Sequence, residues 1–250
     1  MTKEKAEEKA RFIPKTLSQS IYNHLKTSII NNKLKANQRI NEKEIANFFG
    51  VSTTPVREAV LKLGAEGFVN INSHREAVVK EISYQELKEI FQVLSVLDCL
   101  ASTLAADHLS AEELKELEEL TAEMESHCHP DGIEKYMTLN IDIHNRIWES
   151  LPNRFLRDTL RYVNDQMLRY NYARLYAYHK PGVMERSMNE HREILKALKE
   201  RDKNRLRTLM LNHWGSLLQP SPFEDGLKEY LNNEPKEVRI KESIISEGNI

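Results

Sequence analysis

Apolar residues recur along this chain at spacings of three and four, the period that turns one side of an α-helix toward a core. Starting at Thr16, the positions Leu17, Ile21, Leu25, Ile29 and Ile30 form a first stripe that ends near the Asn31-Asn32 pair. A second opens at Asn41, whose side chain can cap a helix, and presents Ile45, Ala46 and Phe49 before Gly50 stops it. Ser52 is expected to cap a third, with Pro55 in its first turn, where a missing N–H costs nothing, and Val56, Val60 and Leu63 facing inward. After Gly67 the period changes. FVNIN and AVVKEI are short and rich in valine and isoleucine, with polar SHRE between them, and predict a two-stranded wing.

Beyond Ser83 the helical period returns in longer runs. Breaks at Leu109-Ser110, His129-Pro130-Asp131-Gly132, Leu151-Pro152-Asn153 and Lys180-Pro181-Gly182 predict helices over roughly 83–108, 110–127, 131–150, 153–178, 181–201 and 203–218. The fold class is mostly α: an N-terminal winged helix-turn-helix followed by an all-α bundle. The expected organisation is a flexible arm over 1–12, the winged head over 13–81, the bundle over 82–220, and a C-terminal tail over 221–250 that includes a short helix.

Composition supports helix, since only 8 glycines and 8 prolines stand in 250 residues. Charge then separates the two parts. The first 80 residues hold 14 Lys and Arg against 8 Asp and Glu, and the rest holds 22 against 30, so an anionic partner is expected for the head alone. Two cysteines, Cys99 and Cys128, are too few for a disulfide framework. No run reaches the ~18 apolar residues of a membrane span, and the charged start MTKEKAEEKARF is unlike a signal peptide, so a cytoplasmic protein is expected.

The stretch GVSTTPVREAVLKLGAEGFV carries the head's chemistry. In a winged helix-turn-helix the third helix enters the DNA major groove N-terminus first. Ser52, Thr53 and Thr54 place hydroxyls and free N–H groups at that helix start, which suits a phosphate oxygen. Arg57, one turn in, can reach a phosphate or a guanine edge.

The longer segment NEKEIANFFGVSTTPVREAVLKLGAEGFV resembles the signature of the GntR family of bacterial transcriptional regulators, and the likeness runs from about Ser18 to Lys80. It implies DNA contacts from Lys43, Ser52, Thr53, Thr54 and Arg57, and from a wing tip around His74 and Arg75. Three positions depart from the pattern. Thr53 stands where a basic residue is commoner, LKANQRI lacks the usual Pro-Gly, and Glu76 replaces the wing-tip glycine.

The acidic second half resembles the FCD (FadR-like) branch of that family, whose C-terminal half is a six- or seven-helix ligand-sensing domain. The resemblance implies a metal site at Asn140, His144, His191 and His213, where Asn140 stands in place of the usual Asp. Asn140 and His144 share one helix face, and the other two come from later helices. Three imidazoles favour Zn²⁺ or Ni²⁺ over Mg²⁺ or Ca²⁺, with open positions for a small carboxylate effector. Arg169 and Arg186 are candidate partners for that carboxylate. The remaining histidines, including the HCH run at 127–129, read as surface, loop or core residues.

The sequence is identified as a non-enzymatic, homodimeric regulator of palindromic DNA whose affinity responds to a small organic acid. The alternative is a metal-dependent enzyme using the same histidines. HExxH, GxSxG, P-loop and GxGxxG motifs are missing from the sequence, which argues against it.

Overall fold

The computed structural model describes residues 16–73, 76–215 and 222–232, which divide into two compact units, one ending at Glu81 and the other beginning at Ile82. The expected arm over 1–12, the wing-tip pair His74 and Arg75, and the chain beyond Asn232 lie outside the described residues.

The first unit runs α1 (Leu17–Ile30), β1 (Arg39–Ile40), α2 (Glu42–Phe49), α3 (Thr53–Ala65), β2 (Val69–Ile71) and β3 (Ala77–Val79). Its core joins the stripes foreseen from periodicity: Ile21 and Leu25 from α1, Ile45 from α2, Val56, Val60 and Leu63 from α3, closed by Phe68. Gly50 ends α2 in the left-handed region at φ 65, where a side chain would be strained.

The sheet has three strands in the order β1-β3-β2, all antiparallel, so the expected two-stranded wing gains a strand from LKANQRI. Two residues are too few to show a strand period, and the sequence hides them. That loop turns on Asn37 at φ 62, with its N–H on Val79 O, so asparagine takes the conformation a Pro-Gly turn would give to glycine.

The second unit holds α4 (Tyr84–His108), α5 (Ala111–Ser126), a single 3-10 turn at Pro130–Gly132, α6 (Ile133–Glu149), α7 (Arg154–Leu168), α8 (Asn171–Tyr178), α9 (Val183–Lys199), α10 (Lys203–Gly215) and α11 (Pro222–Asn232). Ser110 and Glu113 form a reciprocal capping box at the start of α5. Helix α10 lies along α4, α7 packs on α4, α5 on α6, and α11 on α8.

Two expectations are corrected here. The helix expected over 153–178 is two helices, broken at Arg169-Tyr170 without glycine or proline. Tyr170 donates its hydroxyl to Glu86 (2.6 Å) and accepts from Ser83 N (3.2 Å), and Arg169 also reaches Glu86 (3.3 Å), so tertiary bonds to the start of α4 fix the break. The short helix expected beyond 221 is α11, which packs closely enough that a Cβ on Gly226 would lie 2.8 Å from Ala173 O. Finally, α4 is by length and composition apolar enough to cross a membrane, contrary to the sequence reading. Its most apolar stretch is 56% buried inside the fold, around Leu87, Phe91, Leu94 and a fully buried Asp98, which is how a core helix is arranged.

Candidate functional site

Asn41 caps α2, its Oδ1 accepting from Lys43 N (3.1 Å) and Glu44 N (3.4 Å). Lys43 is thereby fixed in an exposed first turn. One turn-and-helix later Ser52 occupies the N-cap position of α3 in extended geometry, yet its side chain makes no capping bond. The expected hydroxyl cap is absent, which leaves that hydroxyl and the first N–H groups of α3 available to an outside acceptor.

Thr53, Thr54 and Arg57 are exposed beside Ser52. Arg57 Nε and Nη2 both lie 3.1 Å from Glu42 Oε2 at the start of α2, an exposed pair worth at most about 1 kcal/mol that aims the guanidinium without removing it from reach. Glu76, at the expected glycine position, braces the wing: Asn72 Nδ2 donates to it (3.0 Å), its N–H returns to Asn72 Oδ1 (2.9 Å), and Arg39 pairs with it (2.8 Å).

In the second unit the structure brings together the four residues expected at the metal site. Asn140 and His144 project from α6, His191 from α9 and His213 from α10, and all four are buried. The rings of His191 and His213 lie 4.7 Å apart, and each is 5.3 Å from His144. One ring nitrogen from each of the three lies within 4.8 Å of the others. Asn140 Nδ2 approaches His191 Nε2 at 3.4 Å.

Each Nδ1 of the cluster faces an oxygen behind it, by a hydrogen bond for His213 and His191 and at ion-pair distance for His144. His144 Nδ1 lies 2.8 Å from Asp98 Oδ2, His213 Nδ1 2.7 Å from Glu190 Oε2, and His191 Nδ1 2.7 Å from Ser187 O. Anchoring Nδ1 presents Nε2 as the lone-pair donor, the arrangement of metal-binding histidines. Neither ring nitrogen of His144 makes an aligned hydrogen bond among the described residues: Nδ1 faces the Asp98 carboxylate, and Nε2 is buried with no such neighbour, an orphaned acceptor that a cation would satisfy. Burial, reinforced by His213 and His144, holds the His191 pKa well below that of a free imidazole, so this ring is neutral and able to ligate. The donor set therefore fits a borderline divalent metal.

Sequence reasoning missed Asp98, which accepts from Trp148 Nε1 (2.6 Å) and Trp214 Nε1 (2.9 Å) as well as facing His144. Burial alone would raise its pKa. The His144 ring and hydrogen bonds from both indoles outweigh burial and hold the carboxyl below its ordinary value.

The two expected effector arginines are not brought together. Arg169 is engaged by Glu86 and Gln166, and Arg186 lies on the exposed face of α9. The arginine missed is Arg174 on α8, buried, bonded to Tyr178, and with Nη1 lacking a hydrogen-bond partner among the described residues. Burial draws its pKa down. Among the other histidines, His127 closes α5 with Nδ1 on Glu123 O (2.9 Å) and His179 closes α8 with Nδ1 on Leu175 O (2.8 Å), both as local caps.

A head of this form reads duplex DNA, and a chain that couples it to a helical unit with its own buried polar centre is a transcriptional regulator of the two-domain class. Comparison with known proteins places it further. Residues 17–79 match the family described as bacterial regulatory proteins, gntR family, and residues 89–216 match the FCD domain. The HTH-type transcriptional regulator YdhC of Bacillus subtilis (strain 168) is 31% identical over 77% of this chain and 85% of its own length. McbR of Escherichia coli (strain K12), another HTH-type transcriptional regulator, is 26% identical over 75% of this chain and 85% of its own. The solved structure of E. coli McbR/YncC superposes with a TM-score of 0.66 at 23% identity, covering 86% of this chain and 99% of that one. The chain belongs to the GntR family, in the branch that carries an FCD domain. Its relatives are transcriptional regulators and not enzymes, which sets aside the metal-enzyme reading.

Proposed function

We propose that this regulator binds a palindromic operator as a cytoplasmic homodimer, and that a divalent metal, Zn²⁺ or Ni²⁺, held by Asn140, His144, His191 and His213 couples DNA affinity to a small carboxylate effector. The observation that carries the sensor half is the convergence of three buried imidazoles, one ring nitrogen of each within 4.8 Å of the others, with His213 and His191 anchored through Nδ1 and His144 Nδ1 facing Asp98. The metal would supply a cationic centre with open positions for the carboxylate. Arg174, with a buried donor unengaged, replaces Arg169 and Arg186 as the side chain suited to a further acidic group of the ligand.

On the DNA side, Lys43, Ser52, Thr53, Thr54 and Arg57 form the reading edge, with His74 and Arg75 assigned to the wing tip by family likeness. One reading helix covers few base pairs, and a two-fold pair doubles the information. Helix α4 offers the pairing surface: Val93, Val96 and Leu100 are exposed on the side opposite its core stripe.

Two measurements test the reading. Metal content and zinc affinity should fall in His191→Ala and His213→Ala, and a wild type purified and titrated without metal uptake would exclude the metal. Arg57→Ala should lose about 1–3 kcal/mol of operator affinity by fluorescence anisotropy, and binding equal to wild type would exclude the docking of α3.

A further inference from the structure

A divalent ion held by three neutral imidazoles and an amide keeps its whole charge inside a core, where an uncompensated ion is costly. This inference rests on the metal reading above and concerns what balances that charge. Two carboxylates stand directly behind the cluster. Asp98, 0% exposed, faces His144 Nδ1 at 2.8 Å, and Glu190 faces His213 Nδ1 at 2.7 Å. The other donors to Asp98 are the uncharged indoles Trp148 and Trp214 and, at 3.5 Å, the Ser102 hydroxyl. They fix the carboxylate in place without neutralising it. His191 has only a backbone carbonyl behind it, so the charge arrives on two of the three rings.

We infer that Asp98, acting through His144, supplies the negative charge that a divalent cation at this cluster requires and that Asn140 does not, with Glu190 contributing likewise through His213. Asp98 is a positioning residue and not a ligand, because both its oxygens are engaged by His144 and the indoles. A carboxylate–imidazole pair raises the basicity of the ring and pins its orientation, so the charge acts on the metal one ring away. It follows that one carboxylate can be moved between positions 98 and 140 while the total charge around the ion is unchanged.

The test uses metal-free full-length protein, titrated with Zn²⁺ against a chromophoric chelator and with Co²⁺ by its d–d absorption. The variants are Asp98→Asn, Asn140→Asp, the two combined, and Glu190→Gln, each with its metal-free melting curve as a check on folding. Asp98→Asn should bind zinc about ten- to a hundredfold more weakly. Adding Asn140→Asp to it should recover most of that loss, which a purely structural role for Asp98 as acceptor for two indoles would not allow. Glu190→Gln should weaken binding less, since its carboxylate is 25% exposed and water screens it. Zinc affinity in Asp98→Asn equal to wild type, or a loss that Asn140→Asp does not recover, overturns the inference and leaves the metal reading standing. If Asp98→Asn does not fold, Glu190→Gln decides, and unchanged affinity there overturns the inference. A wild type that binds neither ion overturns both.

Discussion

Ser52 and Asn41 occupy the same place at the start of successive helices and behave differently. Asn41 closes on two N–H groups of α2, while Ser52 closes on none of α3. Asn41→Ala should therefore destabilise the protein by about 0.5–2 kcal/mol in urea melts. Ser52→Ala should leave stability within about 0.5 kcal/mol and weaken operator binding instead. Equal destabilisation by both would mean the serine is a helix cap after all. At this scale the sequence was legible where spacing and residue type agree, as with Asn140 and His144 on one face. Asp98 escaped notice because a lone acid in the apolar run IFQVLSVLDCLASTLA looks like a surface charge. The signal was present: Asp98 lies in register with the buried Leu87, Phe91, Leu94 and Ala105. Arg174, among the buried Tyr170, Ala173 and Ala177, escaped for the same reason.

Elements were legible where breaks are made by local chemistry. Gly50 ends α2, and the Pro-Asp-Gly turn leads into α6, where the sequence placed the breaks. The Arg169-Tyr170 break depends on Glu86 and Ser83, more than eighty residues away, and no window of sequence shows it. The turn at Asn37 lies between these cases, since its residue type tolerates the left-handed region that the turn demands. Asn37→Gly should leave stability unchanged or raise it by up to about 1 kcal/mol, whereas Asn37→Val should lower it by about 1–2 kcal/mol, as read by urea unfolding. Equal stabilities for the two variants would show that the turn does not hold this backbone in solution.

At the scale of the whole molecule, the charge division along the chain coincides with the division of labour: a basic head matched to an anionic polymer and an acidic bundle that is not. Helix α4 is apolar on both sides, toward the core and toward solvent, and its outer side suits the pairing of two copies proposed above. On α4 the core stripe is buried while Val96, 61% exposed, is flanked by Val93 and Leu100. Val96→Glu should shift the protein to monomer in sedimentation, and its affinity for a palindrome should drop to that for a single half-site. Retention of a dimer would move the interface elsewhere.

The chain contains two tryptophans, and both give their indole N–H to Asp98 while their rings lie 5.3 to 6.1 Å from His144. The head matched over 17–79 has none. The protein's tryptophan emission, excited at wavelengths too long for tyrosine to absorb, thus arises wholly from the surroundings of one carboxylate, and the DNA-reading part contributes none of it. Light from this protein reports on its sensor without any label. An emission change on adding operator alone could not come from the reading edge itself, and would be a direct optical record of the two halves communicating.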